Sequence, residues 1–397
     1  MRSFYQKSGF ALLSLSGGLL ISASYAQDAG VSSKNLSQLE NLGNQLFFDF
    51  NLSKNRTMSC ATCHTPETGF ADPRDNGFDT PVSTAVSLGD DGESIGDRNA
   101  PSAGYAAFSP NFHKTKEGKF VGGQFWDGRE KDLEGQAGGP PLNPIEMGMP
   151  SKASVVERIK ENDDYIATFK QLFGESIFES DEEAYVAMTK AIAAFERTET
   201  FAPFDSKYDR FLRGEVELSP QEELGRILFF SPQFTNCNVC HQLKKVPGSE
   251  GETFTNYQYF NIGVPMNKAV RAANGSPAGT VDHGLLANPA VDDKFWDGKF
   301  KTSTLRNVAV TGPYMHNGVF KDLKTVVQFY NRYNSRKKSA QINPETGKPW
   351  GAPEVPATLD VKELTTGPAL DDKRINALVA FMKTLTDERY EHLLEEE

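Results

Sequence analysis

The sequence is organised around two short motifs, CATCH at Cys60–His64 and CNVCH at Cys237–His241. Both have the pattern C-x-x-C-H, and together they use all four cysteines of the 397-residue chain. This pattern is the attachment signature of c-type haem, in which two thiols bond to the porphyrin and the adjacent histidine ligates the iron. The pattern therefore predicts two covalent haems, one bound through Cys60, Cys63 and His64 and the other through Cys237, Cys240 and His241.

Two other interpretations of the cysteines remain. An exported protein could use four cysteines for two disulfide bonds. A Cys/His zinc site is the other possibility, but it would require two motifs that are far apart in the sequence to meet. The immediate histidine in both motifs favours haem over either alternative.

Each of the two motifs is preceded by one copy of an internal repeat. SQLENLGNQLFF at residues 37–48 matches SPQEELGRILFF at 219–230, with seven of 12 positions identical. Each copy opens with Ser-x-x-Glu, a capping box that predicts the start of a helix. FWDG at 125–128 recurs at 295–298. We therefore expect a mostly α-helical protein with two cytochrome-c-like haem domains, related by internal duplication and containing long irregular loops.

The hydrophobic periodicity predicts three further helices and a domain boundary. A helix is expected over 151–173, another from Ser180, and a last one over 372–385. In the second, one face carries Ala184, Met188, Ala191, Ile192 and Phe195. The aromatic and proline residues at 201–204 interrupt this pattern. We place the N-terminal haem domain at 27–200 and the C-terminal haem domain at 201–397, and we expect no long strands.

The N-terminus has the features of a secretory signal peptide. Arg2 and Lys7 precede an apolar stretch at 9–21, and small residues stand at Ser24 and Ala26. This predicts a signal peptide over 1–26, cleaved after Ala26, and export to the periplasm, with an uncleaved N-terminal anchor as the alternative. No later segment is apolar enough to span a membrane. The net charge of −11 also argues against nucleic acid as a partner.

Histidines other than the two in the motifs could occupy the remaining axial positions of the irons. His392 lies in a charged tail and is expected to be solvated. The sequence leaves three candidates, His113, His283 and His316.

Further blocks lie between and after the two motifs: FWDGR at 125–129, Gln136, Pro140, NPIEM at 143–147, TLRNV at 304–308 and PYMHNG at 313–318. With the C-x-x-C-H motifs, these blocks resemble the bacterial di-haem cytochrome c peroxidase and MauG superfamily over almost the whole chain. The resemblance implies a haem peroxidase that uses hydrogen peroxide as its oxidant. The N-terminal haem would react with peroxide, and the C-terminal haem would transfer electrons.

The resemblance also implies roles for individual residues. His64 would be the proximal ligand of the peroxide-reacting haem, and His241 would ligate the electron-transfer haem. The catalytic positions of the family, a distal pair and a tryptophan between the haems, are matched by Gln136, Glu146 and Trp126. Positions that hold one calcium ion at the domain interface are matched by Asn99, Thr311 and Pro313, the last two through backbone carbonyls, which suit a hard cation.

The chain departs from the typical peroxidases of this family in two places. No histidine occurs between His64 and His113, so the histidine that blocks the peroxidatic iron in those enzymes is missing. Seven residues after Leu323, where they have a methionine ligand, this chain has Tyr330, as MauG proteins do. Tyr330 is thus the expected second ligand of the C-terminal iron. If it is not, the alternatives are Met315, His316 and Met266.

Three functions are compatible with these residues. The first is peroxide reduction in the periplasm with electrons from a small cytochrome c or cupredoxin. The second is MauG-like oxidation of a side chain on a partner protein, although Thr235 and Asn236 replace the tryptophan that MauG has before its second motif. The third, a non-catalytic electron carrier, is disfavoured by Gln136 and Glu146, because a carboxylate can move a proton during peroxide cleavage and the amide can donate a hydrogen bond.

Overall fold

Helices dominate the regular structure of this chain, as the sequence predicts. The computed structural model describes residues 36–79, 82–243, 245 and 247–394, so the predicted signal peptide and its cleavage site lie outside the described residues. Within these residues the chain forms twelve α-helices: α1 Gln38–Phe47, α2 Cys60–Cys63, α3 Leu133–Ala137, α4 Lys152–Ile159, α5 Asp163–Phe173, α6 Asp181–Glu196, α7 Lys207–Leu212, α8 Pro220–Phe230, α9 Lys268–Ala273, α10 Leu323–Asn331, α11 Val361–Leu364 and α12 Asp372–Lys383.

The strands are short, and each has two residues. In the described part of the chain they form three antiparallel pairs: β1 His113–Lys114 with β2 Phe120–Val121, β3 Tyr259–Phe260 with β4 Phe300–Lys301, and β5 Ile342–Asn343 with β6 Lys348–Pro349. The β3–β4 pair joins two segments that are distant in the sequence, with Phe260 opposite Phe300. Among the described residues, no helix has both the length and the apolar character needed to cross a membrane.

The repeated segments begin their helices in the same way. Ser37 caps α1 and Ser219 caps α8, and each serine forms a complete capping box with the glutamate three residues later. The serine hydroxyl accepts from the backbone N–H of that glutamate, and the carboxylate accepts from the N–H of the serine, so two free donors at the helix start are satisfied. The capping boxes predicted from the sequence are thus confirmed.

A glycine in each repeated helix allows a second helix to approach very closely. A Cβ atom at Gly43 of α1 would lie 1.9 Å from the Ala191 carbonyl oxygen of α6. A Cβ atom at Gly225 of α8 would lie 1.9 Å from the Ala377 carbonyl oxygen of α12. Any larger residue would push these helices apart, so both helix pairs depend on glycine in the same position of the repeat.

Two hydrophobic cores surround these helix pairs. The first is formed by α1, α4, α5 and α6, with Leu42, Leu46, Val155, Ile159, Phe169, Met188 and Ile192 among its buried residues. The second is formed by α8, α10 and α12, with Leu228, Phe229, Val327, Ile375, Leu378 and Phe381 among its buried residues. All five residues predicted to share the inner face of α6 are buried.

Two predicted helix boundaries were wrong. The single helix expected over 151–173 is divided into α4 and α5, because the side chain of Asn162 accepts from the N–H of Asp164 and starts a new helix there. The last helix, expected to reach Leu385, ends at Lys383.

Polar side chains join distant parts of the chain. Arg98 makes a two-pronged ion pair with Asp282, with both N–O distances at 2.7 Å. The hydroxyl of Tyr105 donates to Asp387 at 2.5 Å. Near the C-terminus, the hydroxyl of Tyr390 donates to the carbonyl oxygen of Pro66 at 2.6 Å. The contacts of Asp387 and Tyr390 connect the residues around the first C-x-x-C-H motif to the last part of the chain.

Candidate functional site

Each C-x-x-C-H motif lines its own large cavity. The N-terminal cavity, defined by Cys60, Cys63 and His64, contains about 1640 Å³ of empty space, including its opening to solvent. The C-terminal cavity, defined by Cys237, Cys240 and His241, contains about 1750 Å³ measured in the same way. All four cysteines are free thiols, which is contrary to the disulfide interpretation. In the part of the chain that the structure describes, no cluster of histidine, cysteine and carboxylate side chains could hold a zinc ion.

The two motif histidines are oriented by equivalent hydrogen bonds. His64 Nδ1 lies 3.2 Å from the carbonyl oxygen of Phe70, and His241 Nδ1 lies 2.9 Å from that of Phe254. Both phenylalanines have left-handed backbone conformations, with φ of 57° and 53°. Because a carbonyl oxygen accepts a proton from Nδ1, the lone pair is on Nε2, the atom that would bind iron.

Burial keeps both histidines in the neutral form. It lowers the pKa of His64 below its ordinary value, and it lowers the pKa of His241 to about 4. Neutral imidazole is the form that ligates metals. Two free thiols beside a neutral histidine with its Nε2 unprotonated fit a c-type haem in both cavities.

The three predicted catalytic residues come together at the N-terminal cavity. Gln136 on α3, Glu146 in the loop before α4, and Trp126 all line it. Burial raises the pKa of the Glu146 carboxyl, while the nearby Arg129 guanidinium and a hydrogen bond with Asn143 offset part of this rise. A carboxyl group in this environment can hold a proton at a higher pH than an exposed glutamate and release it nearby.

The structure distinguishes the three histidines that the sequence left as candidate iron ligands. His113 and His283 are exposed and line neither cavity, and His283 pairs with Asp297 at 2.7 Å. His316 lines the C-terminal cavity. Among the residues lining the N-terminal cavity, His64 is the only histidine. This agrees with the expectation that no second histidine blocks that site.

Tyr330 lies on α10 and lines the C-terminal cavity with His241. Its hydroxyl has no hydrogen-bond partner among the residues described by the structure. Burial, and then the nearby Cys240 and Cys237 thiols, raise the pKa of Tyr330 well above its usual value. A phenol without a hydrogen bond, in the cavity that also contains the unprotonated Nε2 of His241, has the chemistry of an iron ligand.

Two of the alternatives to Tyr330 share this cavity. Met315 and His316 line it, whereas Met266 does not. The His316 ring stacks on Phe300 with a centroid distance of 3.6 Å, and its Nε2 atom is buried without a partner. Burial lowers the pKa of His316 to about 3, so this ring is neutral at physiological pH. Of the four candidate ligands taken from the sequence, the geometry therefore retains Tyr330, Met315 and His316.

Trp126 lies where the two cavities approach each other. It lines both of them, and so does the segment from Lys301 to Ser303. The indole N–H of Trp126 donates to the Asn99 carbonyl oxygen at 2.9 Å, and the Lys301 backbone N–H donates to the Trp126 carbonyl oxygen at 2.9 Å. Trp296, its counterpart in the FWDG repeat, packs on Phe120 and lines neither cavity.

Of the predicted calcium residues, Asn99 contacts the segment that follows Thr311 and Pro313. The backbone N–H of Asn99 donates to the carbonyl oxygen of His316 at 2.8 Å, which brings Asn99 to the loop that carries Thr311 and Pro313. The side-chain amide nitrogen of Asn99 donates to the Ala85 carbonyl oxygen at 3.1 Å. Calcium binding stays a prediction.

Two ionisable residues that line these cavities were not predicted from the sequence. Glu196, at the end of α6, is only 5% exposed and lines the N-terminal cavity, with one carboxyl oxygen left without a partner. Burial raises its pKa to about 8. Its position four residues after Ile192, on the apolar face of α6, was the available signal. Lys301 lines both cavities, and nothing in its local sequence indicates this.

A family model, several known proteins and a solved structure are similar to this chain. A family model described as di-haem cytochrome c peroxidase matches residues 37–217. The methylamine utilization protein MauG of Paracoccus denitrificans is 54% identical over 355 residues, which cover 89% of this chain and 90% of that protein. The cytochrome c551 peroxidase of Nitrosomonas europaea is 30% identical over 388 residues, covering 96% and 91%. The crystal structure of the diheme peroxidase BthA from Burkholderia thailandensis aligns with a TM-score of 0.78 and 32% identity, covering 91% of this chain and 89% of that one.

Proposed function

Because this chain belongs to the di-haem cytochrome c peroxidase and MauG family, we propose that hydrogen peroxide reacts in its N-terminal cavity and that its C-terminal cavity transfers electrons. The protein is a haem peroxidase with peroxide as oxidant, in common with its relatives. The assignment of peroxide chemistry to the N-terminal cavity depends on the residues that line it. It contains Gln136 and Glu146, and His64 is its only lining histidine.

Two covalent haems would be held by the residues that define the cavities. Cys60, Cys63 and His64 would hold the first, and Cys237, Cys240 and His241 would hold the second, with Tyr330 as a further residue that would ligate its iron. A bound haem supplies an iron that exchanges electrons with peroxide and with a donor. The free thiols and the fixed orientation of both imidazoles support this assignment.

Glu146 and Gln136 have separate tasks in the N-terminal cavity. Glu146 accepts a proton from the peroxide oxygen that faces it and returns the proton to the oxygen that leaves as water. Its raised pKa suits this role, since a group that shuttles a proton works best when its pKa approaches the ambient pH. Gln136 contributes an amide N–H that orients the peroxide and stabilises charge on the leaving oxygen.

Trp126 provides the connection between the two cavities. Its ring is held by the hydrogen bond from its indole N–H to Asn99, so it stays in one orientation. A fixed aromatic ring that lines both cavities can carry an electron between them without a conformational change. The partner that gives the electrons would be a small cytochrome c or cupredoxin.

A second candidate function is MauG-like oxidation of a side chain on a partner protein. Tyr330 and the 54% identity to MauG favour it. Thr235 and Asn236 line the C-terminal cavity where MauG has a tryptophan before its second motif, so a substrate protein would need another electron route.

The remaining predictions form part of the same proposal. The protein would be exported to the periplasm by the signal peptide over 1–26. One calcium ion would be bound by Asn99, Thr311 and Pro313. The chain would consist of two duplicated haem domains, 27–200 and 201–397. The matching capping boxes and the equivalent glycines Gly43 and Gly225 support this duplication.

Electron paramagnetic resonance of the ferric protein tests the proposal. An N-terminal haem with one open position gives a high-spin signal, and a C-terminal haem with two protein ligands gives a low-spin signal. Mass spectrometry of the exported protein should show two haem additions. Two low-spin signals would identify an electron carrier instead, and a chain without haem would remove the basis of the proposal.

A further inference from the structure

Lys301 has an amino group for which the protein itself supplies no paired counter-charge; burial lowers its pKa to about 7, and Asp127 offsets only part of this fall. Its ammonium group donates to one acceptor, the carbonyl oxygen of Gly123. Among the described residues, no carboxylate forms an ion pair with it. Asp127 is the acidic residue that acts on Lys301 electrostatically, but its carboxylate already pairs with Arg98 at 2.7 Å and Arg129 at 3.1 Å.

Lys299, two residues earlier, shows how this chain satisfies another buried lysine. Lys299 is only 1% exposed, and its ammonium group contacts both carboxylate oxygens of Asp360, at 2.5 and 2.6 Å. It also lies 4.6 Å from the centre of the Phe295 ring. Buried lysines are generally paired in this way, because removing an ammonium ion from water without a counter-charge is costly. The missing counter-charge of Lys301 is therefore the exception.

The position of Lys301 indicates where the counter-charge belongs. Lys301 is one of the residues that line both cavities, as Trp126 is. A haem brings two propionate carboxylates with it, whereas hydrogen peroxide is neutral. We infer that Lys301 binds a propionate carboxylate of a bound haem at the point where the two cavities approach each other, and so raises the reduction potential of that haem. This inference rests on the proposed function, because it takes two bound haems as given.

The electrostatic consequence has a definite sign. A nearby positive charge stabilises the reduced haem, which carries one positive charge fewer than the oxidised haem. Removing the charge therefore lowers the reduction potential. Lys301→Met removes the charge and keeps a chain of similar length, and Lys301→Arg keeps the charge. Lys114→Met removes a lysine charge from exposed strand β1 and serves as the control.

The test is a spectroelectrochemical titration of the purified two-haem protein and these variants. At the wild-type midpoint of the affected haem, Lys301→Met should lower its ratio of reduced to oxidised form about tenfold, the effect of a unit charge about 10 Å away in a protein medium. Lys301→Arg should stay within about twofold of the wild type. Lys114→Met should leave both midpoints in place.

The inference is overturned if Lys301→Met retains two haems and neither midpoint moves. It is also overturned if Lys301→Arg lowers the midpoint as much as Lys301→Met, since the positive charge would then not be the cause. If Lys301→Met does not accumulate, Lys301→Gln is compared with Lys301→Arg in the same titration. Haem content and the spin states of the wild type are measured separately, so a failure of the proposed function is distinguishable from a failure of this inference.

Discussion

Burial shifts the titration of Glu196 to a higher pH. Its pKa is raised from 4.5 to about 8 by burial beside the N-terminal cavity. In the unfolded chain, glutamate loses its proton near pH 4.5, whereas in the folded protein Glu196 keeps it. Between these values the folded state binds one more proton than the unfolded state, so the contribution of Glu196 to stability is complete below pH 4.5 and decreases as the pH rises towards 8.

Glu196→Gln should therefore make the protein more stable at pH 8 than the wild type, by up to about 4 kcal/mol, and the difference should largely vanish near pH 5. The amide remains neutral at every pH and has nearly the same shape. Chemical denaturation of the haem-loaded protein across this pH range measures the effect. Glu183→Gln, on the exposed start of α6, is the control. A gain that is equal at both pH values would show that the charge of Glu196 has no part in it.

Replacement of Tyr330 determines which branch of the family this protein follows. If its phenolate ligates the second iron, Tyr330→Phe should change the low-spin signal of that haem, and Tyr330→Met should raise its potential. Peroxide consumption with an artificial donor should survive, because Gln136 and Glu146 line the other cavity. Oxidation of a partner protein should be lost.

Tyr333→Phe is the matched control for Tyr330, since Tyr333 follows the same helix and its hydroxyl donates to the Ile262 carbonyl oxygen. It should leave both haem spectra unchanged. An unchanged low-spin signal in Tyr330→Phe would instead point to Met315 or His316, the other candidates in that cavity.

The helices show what the sequence could and could not reveal. The starts of α1 and α8 were predictable because a capping box is a local pattern of four residues. The apolar face of α6 was predictable from its helical period. The place of Lys301 was not, because it depends on the pairing of β4 with β3, a contact between distant segments. The same applies to the cavities, since local patterns identified their haem motifs but not the other residues around them.

Gly43→Ala and Gly225→Ala should each destabilise the protein by roughly 2–4 kcal/mol, although alanine is the better helix former. A methyl group at either position would meet a carbonyl oxygen of the facing helix at 1.9 Å, so the helices must separate. Urea denaturation measures the loss. Gln45→Ala, on the exposed face of α1, should be neutral or slightly stabilising. If either glycine variant is as stable as Gln45→Ala, the close helix approach is not required.

At the scale of the whole molecule, Tyr390 near the C-terminus contacts and stabilises the segment that follows the first haem motif. Tyr390→Phe removes the hydrogen bond to the Pro66 carbonyl oxygen, and the free energy of unfolding should fall by about 1–2 kcal/mol because that buried oxygen loses its partner. Hydrogen exchange should increase around 65–71, next to the first haem motif. The control is His392→Gln, an exposed residue two positions away. Increased exchange confined to the C-terminal segment would contradict this link.

The contacts of Asp387 and Tyr390 also affect the order in which the protein can fold. A chain is synthesised from its N-terminus, so Cys60–His64 emerges long before the residues that bind Tyr105 and Pro66. Until those residues are present, Pro66 lacks its hydrogen bond from Tyr390, and Tyr105 lacks its hydrogen bond to Asp387. The residues around the first motif therefore reach their full set of contacts only when residues 387–390 are also available to fold.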